Sequence, residues 1–528
     1  MPLAHRISAA HRDRPDATAV WLDDHRLDYR ELGQRAAQVA RGIRELPGKQ
    51  RDFPGFDATG RLVAVLTRNT PSLPEILVGA TAGDSACALL DPKWSLDQVT
   101  SVLHRLDPDL LLVDEEHRAA ADAAAERGIP VVVIGADGGP ANGYESWLVH
   151  HADADPGKDL PAGRDDSAFF VGFTSGTTST PKAFAMARGC WRTSLRRGAA
   201  MFDVETSERS AAPGPLQHGL TLYAMAEALD AGGTFHGASR FDAEEFAGTI
   251  RQHRIERISL VPSMLHGLCR TAEPNDARLD SVTTVITSGA RLDGHLLERA
   301  ETVLRNARFI DYYGASETGF MTVSEHLNDD RAAGVGTPFP GVEIEVRAEG
   351  GGICGTGEAG EIFVRSPYLS LGYLWSTAGE ELRREGGWAS VGDQGHLDAE
   401  GRLHVIGRKG RMVITGGMNV YPDEVESVLR QLPGVDDAVV TGVADDYLGS
   451  ALVAVLGCAD STSVPALSAV VAACRAVLPT YKVPVRFHLV SALPRTSSGK
   501  VMRAEVDRWI ARGSGETEQL AQLRERRR

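Results

Sequence analysis

Residues 167–184 read SAFFVGFTSGTTSTPKAF. An apolar run with the length and composition of a buried strand gives way at Thr174 to Ser175, Gly176, Thr177, Thr178, Ser179 and Thr180, and the stretch closes on Pro181 and Lys182. Hydroxyl side chains with a glycine and a proline favour a turn over helix or strand. The continuation, KAFAMARGCWRTSLRRGA (182–199), reads as a helix. Between a strand and a helix, backbone N–H groups and hydroxyls converge on anions, so the loop reads as a grip for phosphate oxygens. It is not a Walker A loop: the G-x-x-x-x-G-K-[ST] order is absent, and Lys182 is not followed by a hydroxyl residue. Alone, the loop equally suits a plain polar turn.

Outward from this stretch, short apolar runs alternate with helical patterns. RLVAVL, LLLVD, VVVIG, ISLVP, TTVITSG and RFIDYYG read as buried strands, several leading into Gly-, Ser- or Thr-rich turns. In YRELGQRAAQVARGIREL, Leu32, Ala36, Val39, Ala40 and Ile43 share one helical face, and the helix ends before Pro47. The alternation predicts an α/β protein with parallel or mixed sheets whose ligands sit at the carboxyl ends of strands. After about residue 335, GVEIEVRAE, GEIFVRS and GRLHVIGR predict a β-rich subdomain. GTGEAG (355–360) matches G-x-G-x-x-G, but EIFVR after it reads as a strand where a dinucleotide fingerprint needs a helix, so it is taken as a β-turn.

With 528 residues the chain exceeds the roughly 250–300 at which single cores stop growing, so more than one domain is expected. The basic, turn-rich GRKGRMVITGG (407–417) separates the main body from a small α+β portion beginning MNVYPDEVESVLRQL. The expected division is 1–408, a hinge at 409–411, and 412–528. A formal net charge of −15 argues against a general nucleic-acid binder, so an anionic ligand must be held by local groups. No run of about 20 apolar residues suggests a membrane span, and the charged N-terminus does not resemble a secretory signal, so a cytoplasmic location is the expectation. Cys87, Cys190, Cys269, Cys354, Cys458 and Cys474 form no C-x-x-C pair, and most are expected in the core. The terminal RERRR reads as a solvated tail.

Four further segments are DYYGASETG (311–319), WASVGDQG (388–395), GRKGRMVITGGMNVYPDEVE (407–426) and PRTSSGKVMR (494–503). Together with FTSGTTSTPK they resemble, in order and spacing over nearly the whole chain, the AMP-forming adenylating superfamily of acyl- and aryl-CoA synthetases, peptide-synthetase adenylation domains and luciferases. GPLQHGLTLYA (214–224), LVPSML (260–265) and YKVP (481–484) bring it nearest to fatty-acid- and aryl-CoA ligases.

That resemblance implies ATP, Mg2+ and CoA as cofactors and cosubstrates. Thr174, Ser175, Gly176, Thr177, Thr178 and Lys182 would hold the β- and γ-phosphates. Glu317 would be the magnesium ligand, with Thr178 as a second. The adenosine would lie among Ser288, Gly289 and Ala290 on one side and Asp311, Tyr312, Tyr313, Gly314 and Ser316 on the other, with Tyr313 offering the aromatic face and Asp311 near the adenine amino group. Asp393 would accept the ribose hydroxyls and Arg408 would add a polar contact. Lys500 would reach from the C-terminal portion to bridge the carboxylate and the α-phosphate, stabilising charge that builds in the transition state. His218 would gate the acid pocket, and Gly416 and Gly417 would line the pantetheine path after the small domain rotates.

The sequence departs from the family pattern at Ser179, Val391, Gly410 and Arg411. Gly410 frees the backbone at the hinge but supplies no charged lock. The acid would enter between His218–Leu220, Val261–Ser263 and Gly289, with the small residues Gly219, Gly289, Gly314 and Ala315 leaving room. No acidic residue in these segments suits an α-amino group, which favours an acyl or aryl acid. Three functions remain open on the sequence: an acid–CoA ligase; an adenylating enzyme with another acceptor, such as a carrier protein, or another oxyanion, such as nitrite; and a non-catalytic nucleotide-binding regulator. Which acid is used, and the oligomeric state, are unassigned.

Overall fold

The computed structural model describes the chain except residues 1, 58, 136–142, 175–180, 206–207, 273–278, 291, 293, 327–333, 376–381, 416–417, 446–447, 460–464, 497–498, 513–517 and 523–528. The phosphate-loop residues Ser175, Gly176, Thr177 and Thr178, the glycines Gly416 and Gly417, and the basic tail therefore lie outside the described residues.

Two large sheets form the main body. One has seven strands, in the order Gly372–Trp375, Lys182–Ala187, Ala168–Thr174, Ala86–Leu89, Leu62–Leu66, Leu110–Asp114 and Val131–Ile134. Its Val/Leu/Ala-rich central strands pair in parallel and are buried on both faces, as expected of strands covered by helices on both sides. The other has nine strands, among them Arg257–Leu260, Thr284–Thr287 and Arg308–Ala315 in parallel, followed by Gly319–His326 folded back antiparallel on Arg308–Ala315. The helix anticipated at 29–46 spans Tyr29–Glu45, opened by a capping box between Asp28 and Glu31, with Leu32, Ala36, Val39, Ala40 and Ile43 all buried.

A six-stranded sheet built from residues 343–408 is the β-rich subdomain, and GTGEAG lies in the turn that opens its Gly360–Arg365 strand. Beyond it, the 3₁₀ turn Lys409–Arg411 and the hairpin Val413–Thr415/Met418–Val420 precede a four-stranded sheet carrying the helices Pro422–Leu429, Leu467–Val477 and Arg503–Arg512. This portion has its own core around Val425, Leu429, Val440, Leu452, Val470 and Phe487. Five of the six cysteines are buried, and Cys354 is partly exposed.

One reading is overturned. KAFAMARGCWRTSLRRGA is not a single helix. Lys182–Ala187 is a strand antiparallel to Ala168–Thr174, and only Arg188–Phe202 is helical. The strands on either side of the hydroxyl-rich segment thus pair with each other, their register ending at Thr174 and Lys182. Ala, Met and Lys favour helix on intrinsic propensity, but here strand pairing on both sides of 182–187 outweighs it.

Candidate active site

The carboxyl ends of the two large sheets, the β-rich subdomain and the turn before the helix Arg503–Arg512 bring several of the predicted residues together. On the seven-stranded sheet, Thr174 and Lys182 stand opposite each other at the base of the loop. The neighbouring strand Gly372–Trp375 contributes Tyr373, whose ring lies 5.8 Å from the Lys182 ammonium. Trp375 Nε1 donates to the Pro181 carbonyl at 2.8 Å, tying the same strand to the loop's exit. Tyr373 donates through its hydroxyl to Glu317 Oε1 at 2.6 Å. Glu317 is 6% exposed, so this bond fixes a buried carboxylate. Burial, and then the adjoining Glu317 charge, push the Tyr373 phenol well above its usual range, so it stays a donor.

Sequence reasoning missed Tyr373. Nothing in LGYLW sets it apart from other strand aromatics, and only the pairing of 372–375 with 182–187 places it between the loop base and Glu317.

Asp393 opens the strand Asp393–Leu397 and is 4% exposed. One of its oxygens accepts from the Tyr313 hydroxyl, and the other from Arg408 Nε at 2.7 Å. Each carboxylate oxygen still has a lone pair free for a further donor. Burial first, and the Asp393 charge next, hold the Tyr313 phenol far above its ordinary value. Asp311, 8% exposed, accepts from Thr287 Oγ1 at 2.9 Å, and Ser288 Oγ donates to the Tyr312 carbonyl at 2.9 Å. Gly289 sits at φ +89°, in the left-handed region, and with Ala290 it is exposed to the cleft. Ser316 is exposed as well.

Tyr313 and Tyr312, adjacent on one strand, turn to opposite sides. Tyr313 reaches Asp393, whereas the Tyr312 ring packs on Phe320 at 4.7 Å, away from the group that carries Asp393 and Arg408. Gly314, expected to leave room for the acid, is glycine for another reason: a Cβ there would lie 2.1 Å from the Gly319 carbonyl of the facing strand. Gly219 and Gly289 do border open space. A Cβ at Gly219 would meet nothing within 4 Å, and one at Gly289 would meet only Val261 Cγ1 at 3.5 Å and Lys500 Cε at 3.9 Å.

That last neighbour places Lys500 in the cleft. Its turn is closed by Thr496 N donating to the Lys500 carbonyl at 2.7 Å and Arg495 Nη1 donating to the Gly499 carbonyl at 2.7 Å. Gly499, at φ +78°, abuts Val261 and Ser263 of the main body closely enough that a Cβ would stand 3.2 Å from each. The side chain retains solvent exposure within the cleft, yet the protein around it depresses the ammonium pKa. Desolvation comes first and the Arg408 charge second, while Glu317 and Asp393 oppose them. His218 caps the helix Gly219–Asp230, and burial lowers its pKa to about 4, with Asp91 opposing, so its imidazole is neutral at pH 7.

The donor set suits Mg2+. Glu317 has one oxygen committed to Tyr373, leaving the other to a cation, and among the described residues no group of three or more His, Cys, Asp or Glu side chains is arranged to hold a metal. A hard cation held by one carboxylate together with phosphate oxygens is the usual arrangement for magnesium. Among the described residues no helix is long and apolar enough to cross a membrane.

Residues 7–374 match the family model described as AMP-binding enzyme, and residues 424–500 match that of the AMP-binding enzyme C-terminal domain. A putative long chain fatty acid-CoA ligase, VraA, of Staphylococcus haemolyticus is 30% identical, covering 97% of this chain and 99% of its own. The uncharacterized acyl–CoA ligase YhfT of Bacillus subtilis is 29% identical over 97% of this chain and 98% of its own. The crystal structure of ATP-bound MatB from Rhodopseudomonas palustris shares the fold, with a TM-score of 0.83, 23% identity and coverage of 96% and 99% of the two chains. The motifs, the fold and these matches agree: the chain belongs to the AMP-binding enzyme family, the adenylating superfamily that includes the acyl- and aryl-CoA ligases.

Proposed function

We propose that this enzyme, an AMP-forming acid–thiol ligase, activates a small-molecule carboxylic acid as its acyl adenylate with release of pyrophosphate and then transfers the acyl group to the thiol of CoA. One observation carries this reading: Lys500, from the C-terminal portion, lies beside Gly289 of the main body, within the electrostatic reach of Glu317, Asp393 and Arg408. Carboxylates do not react with thiols at neutral pH, so a carboxylate oxygen must first attack the α-phosphorus of ATP. In such a displacement, positioning and charge neutralisation supply most of the catalysis.

Lys182 and the hydroxyl-rich loop hold the outer phosphates, and Asp393 orients the ribose while Arg408 and Tyr313 steady it. Bound Mg2+ would neutralise the departing pyrophosphate. The Lys500 ammonium, an uncoordinated donor aimed at the cleft, offsets the charge shared between the acid's carboxylate and the α-phosphate. His218, neutral, contributes shape and a hydrogen-bonding edge at the acid's entrance, not charge. Thioester formation needs the lysine withdrawn, and we assign the swing to residues 409–411, where a side chain at Gly410 would meet nothing within 4 Å.

ATP–pyrophosphate exchange across aliphatic, aryl and amino acids, followed by thioester formation with CoA, tests the reading. Acid-dependent exchange and CoA-dependent AMP release are expected. Exchange without transfer to CoA would move the acceptor to a carrier protein or an amine, and no exchange with any acid would overturn the carboxylate reading.

A further inference from the structure

A flexible side chain such as Lys500 is aimed by the backbone that carries it, and that backbone is pinned on both flanks. Before the lysine, the Arg495 guanidinium forks: Nη2 donates to Asp437 Oδ2 at 2.6 Å and Nη1 to the carbonyl of Gly499, the residue next to Lys500, at 2.7 Å. The backbones of Arg495 and Val501 also bridge, closing the turn around the lysine. After it, Arg503 donates to both oxygens of Glu426 and to Asp423 Oδ1 at 3.2 Å. The two main acceptors are themselves joined. Arg430 donates through Nε to Asp437 Oδ1 and through Nη2 to Glu426 Oε2, each at 2.9 Å. Glu426 is fully buried and accepts from the Val440 amide as well, at 2.8 Å, which fixes the network to the small domain's core sheet. Burial opposes the charge on Asp437, yet Arg430 and Arg495 together hold its carboxyl below the usual carboxylate range. The side chains thus run unbroken as Arg495–Asp437–Arg430–Glu426–Arg503, with the lysine's turn slung between the ends. The residue before Asp437 faces the main body: Asp436 Oδ1 lies 3.8 Å from His266 Nε2, on the helix Pro262–Thr271 whose Ser263 abuts Gly499.

We propose that Arg495, anchored by Asp437, is a positioning residue for adenylation: it fixes the Gly499 carbonyl and so sets the direction in which Lys500 leaves its turn. Among the side chains of the network, Arg495 is the one bonded to the lysine's immediate neighbour. Gly499, at φ +78°, is a residue whose backbone has little preference of its own, so an outside brace decides its conformation. A guanidinium suits the task because its planar fork meets two acceptors at once, which a lysine's single ammonium on a flexible stem does not reproduce. The proposal rests on the reading above, in which Lys500 serves adenylation alone, and deepens it by naming what holds the lysine in place.

The experiment compares the full-length protein with Arg495→Gln, Arg495→Lys, Lys500→Ala and the double variant Arg495→Gln/Lys500→Ala. ATP–pyrophosphate exchange with octanoate, benzoate or ferulate reads the first half-reaction, and thioester formation from the corresponding supplied adenylates reads the second. Arg495→Gln should lower kcat for exchange by about ten- to a hundredfold at nearly unchanged KM for ATP, as a misplacement of about 1 Å does. Thioester formation should stay within about twofold, since the lysine has no part in it. Arg495→Lys, which keeps the charge and loses the fork, should recover only part of the loss. In the double variant Arg495→Gln should add almost nothing to Lys500→Ala, because it acts through an ammonium already removed. Melting curves establish that the variants fold. Equal loss in both half-reactions, full additivity in the double variant, or unimpaired exchange by Arg495→Gln or Arg495→Lys overturns the proposal. Independently of turnover, amide hydrogen exchange at Thr496, Gly499 and Met502 should quicken by about tenfold in Arg495→Gln while the strand Gly449–Gly457 keeps its rates. Unchanged rates there overturn the brace. If no acid supports exchange, the activity reading falls, and the quickened amides would still uphold Arg495 as the brace of the lysine's turn.

Discussion

Two of the cleft's charged groups, Asp393 and Lys500, are held in opposite ways. Asp393 is buried, at the start of a sheet strand, and both its oxygens are engaged by Tyr313 and Arg408. Lys500 sits on a small turn, keeps contact with solvent, and its ammonium makes no hydrogen bond or ion pair among the described residues. On the proposed roles, a group that must be in place throughout the cycle is preorganised by the scaffold, whereas one needed for a single step sits on an element whose Gly499 packs against Val261 and Ser263.

The largest expected effect separates the two directly. Lys500→Ala should lower adenylate formation by roughly a hundred- to a thousandfold, the usual cost of one transition-state donor, while thioester formation from supplied acyl adenylate continues. Equal loss in both half-reactions would erase the distinction between a delivered and a resident group. Next, Asp393→Ala should act on ground-state binding. It strips Tyr313 and Arg408 of their shared acceptor, and KM for ATP should rise by about ten- to a hundredfold, consistent with roughly 1.5–3 kcal/mol for hydrogen bonds to a charged group. A change confined to kcat would contradict its placement at the ribose.

Tyr373→Phe sharpens the resident side further. Removing one donor from the buried Glu317 should weaken metal–nucleotide binding by about tenfold, read as Mn2+ bound in the presence of an ATP analogue by paramagnetic resonance, with the melting temperature nearly unmoved. Unaltered Mn2+ affinity would show that Glu317 needs no such support.

The smallest effects lie in pH. If adenylation uses the Lys500 ammonium as proposed, then, since the folded pKa is lowered, the activity should decline as pH rises through a value below the ordinary lysine pKa of 10.5. Lys500→Ala should lose that limb. His218, at about 4 in the fold against 6.5 unfolded, binds its proton more readily in the unfolded chain, so it lowers stability as pH falls from about 6.5 toward about 4. A His218→Asn variant should show a shallower loss of melting temperature over that window.

Most of the scaffold was legible in the sequence because buried parallel strands announce themselves as short apolar runs. RLVAVL, LLLVD, TTVITSG and RFIDYYG all became strands of the two large sheets. The charged groups were legible through their motif spacing, and the structure brings Lys182, Glu317, Asp393, Arg408 and Lys500 to one cleft. What escaped was whatever depends on a partner far along the chain. KAFAMA carries helix-forming residues, and the strand at 372–375 that helps hold it extended is nearly two hundred residues away. Tyr373 was invisible for the same reason. In Asp311-Tyr312-Tyr313, a strand's alternation gives two identical side chains different neighbours, and composition does not say which one turns toward Asp393.

The tie between Trp375 and Pro181 spans 194 residues. During synthesis, the Lys182–Ala187 strand must therefore wait with a bare flank until the chain has been extended past Trp375, and only then is that flank covered. A nascent chain halted before that point would present an unpaired, apolar ribbon, so premature termination in this stretch should yield aggregates and chaperone clients in place of a smaller working enzyme.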